Sequence, residues 1–204
     1  MKQLFSFMTA LFILATFILA SLPAAAQEPA ATQTQSTAPQ DAFGFEFFGI
    51  DGKEMPLETY RGKVLLVVNT ATGCGFAGHF RDLQKLQDTY GEQGLAVIGV
   101  PSNDFGGQEP LDGDVLKKTV ESTYGVTFPL TQKTAVSGAA AHPFYQWAGK
   151  QNAGGLLSSK PRWNFHKYLI GRDGRILASA GPTTGPLDKD FEGKIKSALA
   201  QKTE

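Results

Sequence analysis

The sequence predicts an α/β protein with a central mixed β-sheet flanked by helices. Three observations carry that expectation. VLLVVN (64–69) and LAVIGV (95–100) are continuous apolar runs rich in Val, the pattern of strands buried on both faces. Between them lies FRDLQKLQDTY, where Phe80, Leu83, Leu86 and Tyr90 continue a 3–4 spacing begun at Phe76, with Arg81, Gln84, Lys85 and Asp88 opposite. Strand, helix, strand in that order is a βαβ unit with a right-handed crossover. Finally, Gly171-Arg172-Asp173-Gly174 separates two short apolar runs, a hairpin signal that adds an antiparallel pair.

Taken in order, the chain begins MKQLFSFMTALFILATFILASLPAAAQEP. Lys2, a long apolar stretch and the small-residue run Ala24-Ala25-Ala26 have the layout of a secretory signal peptide over residues 1–26. The stretch is also long enough to rival an uncleaved membrane anchor, but A-x-A follows it directly and no Lys/Arg stop-transfer cluster does. Residues 27–40, QEPAATQTQSTAPQ, hold no apolar side chain larger than Ala and predict a disordered linker. Residues 41–204 then supply about 160 residues, enough for one domain with its own core. Lys+Arg and Asp+Glu both number 19, a zero formal charge, so no basic excess points to nucleic acid or an anionic membrane surface. No internal repeat is present.

Gly62-Lys63 leads into the first buried strand, and Gly91 and Gly94 end the helix after it. A second helix fits 114–124, with Leu116, Val120 and Tyr124 on one side and Asp114 as its first-turn acid. After the hairpin, Leu187, Phe191, Ile195 and Leu199 form the inner stripe of a last helix from about Pro186 to Leu199.

Within NTATGCGFAGHF (69–80) sits Cys74, the single cysteine of the chain. Such a residue in an exported chain is paired between molecules, a free reactive thiol, or buried and inert. Its place favours the reactive thiol. It falls between the carboxyl end of a central strand and the amino end of a helix, where α/β sheets gather reacting groups and where N–H groups favour a thiolate. Gly73 and Gly75 flank it, which predicts a bent backbone and a reachable sulfur.

Three familiar thiol chemistries fail at named positions. Disulfide exchange through C-x-x-C needs a cysteine where Ala77 stands, and a C-x-x-x-C copper relay needs one at Gly78. Peroxiredoxins carry Thr three residues before their Cys, where this chain has Ala71. Attack of a thiolate on a peroxide remains. It yields sulfenic acid and an alkoxide that must be protonated, so the site needs polarising donors such as an amide NH₂ or an indole N–H. Two stretches offer them. PSNDFGGQEP (101–110) follows the second buried strand and presents Gln108, otherwise readable as part of a polar turn. PRWNFHKYL (161–169) opens the hairpin with Trp163 and Asn164, otherwise readable as core packing and a turn cap.

NTATGCGF, VPSNDFGGQEP and WNFHKYLIGRDG resemble, in order and spacing, the three signature stretches of the glutathione peroxidase family; GKVLLVVN, YGVTFPL and GPTTGP are similar too. The resemblance spans roughly residues 41–200. It implies a thioredoxin-like fold and reduction of hydrogen peroxide and organic hydroperoxides by thiols, with no metal or prosthetic group. It places the peroxidatic residue at Cys74 and the family's catalytic Gln, Trp and Asn at Gln108, Trp163 and Asn164. Many cysteine-type members have a resolving Cys in the region LKKTVESTYGVTFP, where this chain has Val120, and Cys where Ser102 stands. The sulfenic acid therefore cannot close an intrachain disulfide: an external thiol, glutathione or a thioredoxin-like protein, reduces it, or two chains couple. The short run from HPFYQWAGKQ to WNF lacks the assembly insertion of large tetrameric relatives, which implies a monomer.

His79, His142 and His166 with Cys74 could in principle bind a metal, but no pair has close ligand spacing, and surface or packing roles are favoured. Lys117-Lys118 reads as a solvated helix face. The expectation is an exported, periplasmic or secreted, thiol peroxidase. The rival is a non-catalytic thioredoxin-fold binding or metal-linked protein of the cell envelope.

Overall fold

The apolar runs become strands because both faces of each are covered. The computed structural model describes residues 40–151 and 159–201. The expected signal peptide and all of the linker except Gln40 lie outside the described residues. Along β3 (Val64–Thr70), Val64, Leu66 and Val68 enter one hydrophobic cluster, while Leu65 and Val67 enter another. Side chains alternate across a strand, so a sheet buried on both sides requires an uninterrupted apolar run. Each such side chain stabilises the fold by roughly 1.5–3 kcal/mol.

The main sheet has the order β4-β3-β5-β6, with β4 Leu95–Pro101, β5 Lys167–Ile170 and β6 Ile176–Ala180. β3 and β4 run parallel, β5 is antiparallel to β3, and β6 completes the predicted hairpin. On one face α1 (His79–Tyr90), α2 (Gly113–Tyr124) and α4 (Lys189–Ala200) contribute Phe80, Leu83, Leu86, Leu116, Val120, Phe191 and Ile195. The other face is covered by Phe43, Phe45, Phe47 and Leu57 from the N-terminal segment and by α3 (Pro143–Ala148). That segment includes a small hairpin of β1 (Glu46–Phe48) and β2 (Glu54–Pro56).

Three features depart from expectation. The first helix begins at His79, five residues beyond Cys74, and Phe76 precedes it. In between, the N–H groups of Ala77, His79, Phe80 and Arg81 each bond the carbonyl three residues back, at 2.9–3.1 Å. These are tight turns, and Gly75 and Gly78 are poor helix formers. The last helix begins at Lys189 rather than Pro186, because the Asp188 carboxylate caps it, accepting from the N–H groups of Asp190 and Phe191. Lastly, α3 was not anticipated: Pro143 sits in its first turn and His142 Nδ1 accepts from the Phe144 N–H at 3.3 Å.

Candidate active site

Sheet topology brings three loops to one end. β3 and β4 are parallel, so the loops that leave them, 71–78 and 102–111, share an edge. β5 is antiparallel to β3, so the loop entering it, 161–166, arrives at that edge as well. These are the loops that carry Cys74, Gln108 and the pair Trp163 and Asn164.

The first two loops are joined at adjacent residues. The Gly73 N–H donates to the Gln108 carbonyl at 2.9 Å. A side chain at position 73 would place its Cβ 3.0 Å from that oxygen, so glycine permits the approach. Beside it, the Thr72 N–H and Oγ1 donate to the Glu109 carboxylate at 2.9 and 2.8 Å. Glu109 is fully buried, also accepts from the Leu111 N–H at 3.3 Å, and its own N–H donates to Asn103 Oδ1 at 2.9 Å. Burial raises its carboxyl above the ordinary range, against the lowering effect of the Thr72 bonds.

The second and third loops meet through side chains. Asn164 Nδ2 donates to Gln108 Oε1 at 3.0 Å and to the Phe105 carbonyl at 3.3 Å. The Phe105 carbonyl can only accept, which identifies the Asn164 atom facing it as the amide nitrogen and the Gln108 atom it meets as the oxygen. Both its N–H groups are thereby committed, and the Gln108 oxygen is occupied. The Gln108 NH₂ is the end left to donate. Gly106, at φ +69°, lies between Gln108 and Trp163: a Cβ there would be 3.6 Å from Gln108 Cγ and from Trp163 Cη2. The Trp163 ring also packs beside Phe105, with centroids 6.0 Å apart.

Burial differs from the sequence expectation. Cys74 is only 5% exposed, whereas Trp163, for which core packing was the alternative, is 38% exposed. Asn164 is fully buried. The Cys74 carbonyl accepts from the Ala77 N–H at 2.9 Å and its N–H donates to the Ala71 carbonyl at 3.3 Å. Cys74 thus lies in the turns ahead of α1, outside the helix's first turn, and the flanking glycines leave the residue largely covered.

Sequence reasoning missed Thr72, Glu109 and Asn69. Asn69, near the end of β3, donates from Nδ2 to the Trp163 carbonyl at 3.1 Å, and its own carbonyl accepts from the Phe165 N–H at 2.6 Å. Phe165 has φ +61°, the only positive value among the described non-glycine residues. Its buried ring packs against Phe80 and His79. A polar residue ending the apolar run of β3 was the available signal for Asn69; nothing local marks Thr72 and Glu109 as partners.

The histidines take packing positions. His142 stacks on Phe47 and His79 lies between Phe76 and Phe165. Burial lowers the affinity of both for protons, and the Lys167 charge adds to this at His79. Among the described residues no three His, Cys, Asp or Glu side chains are grouped to hold a metal ion. His166 packs on Tyr168 and is pushed down to about 4, by burial first and then by the Lys167 charge. Lys167, also buried, is lowered to about 8 by desolvation.

His166 makes the fold acid-sensitive. Its folded-state value lies below its ordinary 6.5, so the unfolded chain binds the proton more tightly. The associated stability is complete above pH 6.5 and is lost as pH falls toward 4. The loss is on the order of 3 kcal/mol. Urea midpoints measured across this range check it. His166→Gln, which does not titrate there, should show a markedly smaller decline than the parent chain, and equal declines would contradict the assignment.

Known proteins match this arrangement. The family model described as glutathione peroxidase matches residues 42–149. A glutathione peroxidase of Lactococcus lactis is 40% identical over 157 residues, covering 77% of this chain and 98% of that protein. A hydroperoxy fatty acid reductase of Synechocystis is 38% identical over 149 residues, covering 71% of this chain and 88% of its own length. Among solved structures, the apo form of Trgpx is similar with a TM-score of 0.63 and 34% identity, over 80% of this chain and 98% of that one. The sheet, its flanking helices and these matches show the thioredoxin-like fold, and the chain belongs to the glutathione peroxidase family.

Proposed function

We propose that Cys74 is the peroxidatic residue of a thiol-dependent peroxidase, that Gln108 and Trp163 donate to the reacting oxygens, and that Asn164 orients Gln108. One observation carries the reading. Asn164 occupies the Gln108 oxygen, which leaves the Gln108 NH₂ as the end free to donate, on a loop hydrogen-bonded to the residue before Cys74. The Cys74 thiolate attacks the nearer oxygen of ROOH. A sulfur–oxygen bond forms, the O–O bond breaks, and ROH leaves after its alkoxide takes a proton. Neutral donors polarise the leaving oxygen without adding charge to the site.

The chain has no second cysteine, so the sulfenic acid is resolved from outside. A first thiol attacks the Cys74 sulfur, water departs and a mixed disulfide remains. A second thiol releases the disulfide and restores Cys74. Glutathione and a thioredoxin-like protein are both competent by this chemistry. Hydrogen peroxide and organic hydroperoxides share the reacting O–O bond; the matched Synechocystis protein, a hydroperoxy fatty acid reductase, supports including the bulkier class. The exposed Trp163 ring offers such a substrate an apolar surface.

The sequence of residues 1–26 supports export and cleavage, with action in the periplasm or outside the cell. The short connection before Trp163 supports a monomer. The turnover test supplies hydroperoxide with each candidate reductant in turn and follows both. Consumption of two thiols per peroxide, with no disulfide-linked dimer of the chain on non-reducing gels, is expected. Peroxide loss that requires chain-to-chain disulfides would overturn external resolution, and no consumption with any thiol would favour the non-catalytic binding protein.

A further inference from the structure

Lys167 stands out as a fully buried cation that makes no ion pair among the described residues. It is the first residue of β5, pairs with Val68, and by strand alternation shares a face with Leu169, which belongs to the same cluster as Cys74. Packing alone would be served by another aliphatic side chain there, without the desolvation cost of a buried charge. What the ammonium does instead is hold two backbone carbonyls: Nζ donates to Phe165 at 2.7 Å and to Gly181 at 3.1 Å.

The first of these bonds falls at the one strained point of the site. Phe165 adopts the left-handed conformation that side chains disfavour, and it persists only where neighbours enforce it. Its N–H is bound by the Asn69 carbonyl, and the carbonyl of Trp163 is bound by Asn69 Nδ2. Lys167 supplies the remaining clamp, on the Phe165 carbonyl. Asn164 lies between the two held carbonyls, and its amide meets Gln108.

We infer that Lys167 is a positioning residue of the peroxidatic site, whose ammonium locks the left-handed turn at Phe165 and so presents Asn164 to Gln108. The inference rests on the role given to Asn164 above. It acts through the backbone, so it predicts a dependence on Asn164 that a general structural role would not produce. The ionisable neighbours that sense this charge are His79 and His166, both held toward the neutral form, with Asp82 opposing it at His79.

The test is a double-mutant cycle on the full chain, reading the single-turnover rate of Cys74 oxidation by hydrogen peroxide, with circular dichroism confirming the fold. Lys167→Met keeps the length of the side chain and removes its donors. It should slow oxidation roughly tenfold to a hundredfold, as expected for a reacting constellation displaced by about an ångström. In an Asn164→Ala background the same change should alter the rate by less than about twofold, because the group it positions is gone. Should Lys167→Met not fold, Lys167→Leu, which also lacks donors, carries the same cycle. A wild-type rate in the Lys167 variant while Asn164→Ala is slow would overturn the inference alone, as would an equal loss in both backgrounds. A wild-type rate in Asn164→Ala would overturn the reading of Asn164 and this inference with it.

Discussion

Replacing Cys74 by Ser abolishes peroxide consumption while the protein stays folded. The hydroxyl is not ionised at neutral pH and lacks the soft sulfur that attacks an O–O bond. The loss should be on the order of a thousandfold or more, equivalent to about 4 kcal/mol of barrier. Stability should change much less. Cys74 is 5% exposed in an apolar cluster, and its backbone N–H and carbonyl are both paired. Burying a hydroxyl in place of the thiol costs about 1–3 kcal/mol at most. Peroxide consumption by the Ser variant at the parent's rate would remove the proposed chemistry from this residue.

The next largest effect belongs to the amide pair. With Gln108 in the proposed role of donor to the reacting oxygens, Gln108→Ala should slow sulfur oxidation roughly a hundredfold, about 2.7 kcal/mol. Asn164→Ala should approach the same loss by a different route. It frees the Gln108 oxygen, so the amide can rotate and present the wrong end. It also leaves the Phe105 carbonyl without its donor, which lowers stability by about 1–3 kcal/mol. Because one residue acts through the other, the double variant should be scarcely slower than Gln108→Ala alone. Stopped-flow oxidation of the four proteins measures this directly. Fully multiplicative losses would show that Asn164 acts on the substrate independently of Gln108.

The sequence made the sheet readable because burial on both faces leaves an uninterrupted apolar run, as in β3 and β4. The hairpin was readable from Asp173-Gly174, and the helices from their apolar stripes. Cys74, Gln108, Trp163 and Asn164 were legible as unusual residues at strand ends, and parallel pairing of β3 with β4 and antiparallel pairing of β5 with β3 explain why those ends coincide. What joins them was not legible. Thr72 and Glu109 are separated by 37 positions, and no local pattern announces a hydrogen bond over that distance. The left-handed turn at Phe165 is held by Asn69 of β3 and by Lys167, against the preference of its own side chain. The position of Cys74 was misjudged in one respect. Its glycines suggested an accessible sulfur and its place before the helical stripe an adjoining helix start, whereas tight turns place it under cover, five residues before α1. Trp163, with its ring open to solvent, is the more accessible part of the site.

The proposed function rests on a thiol that is nearly enclosed yet must react. The most direct measurement is the intact mass of the reduced chain after one equivalent of hydrogen peroxide, with a sulfenic-acid trap present and the modified peptide mapped. Rapid gain of one trap adduct is expected, confined to the peptide containing Cys74 and lost from the Cys74→Ser protein. Oxidation no faster than that of a free small thiol would contradict it, leaving Cys74 as a packing residue and the fold as a scaffold without peroxidase chemistry.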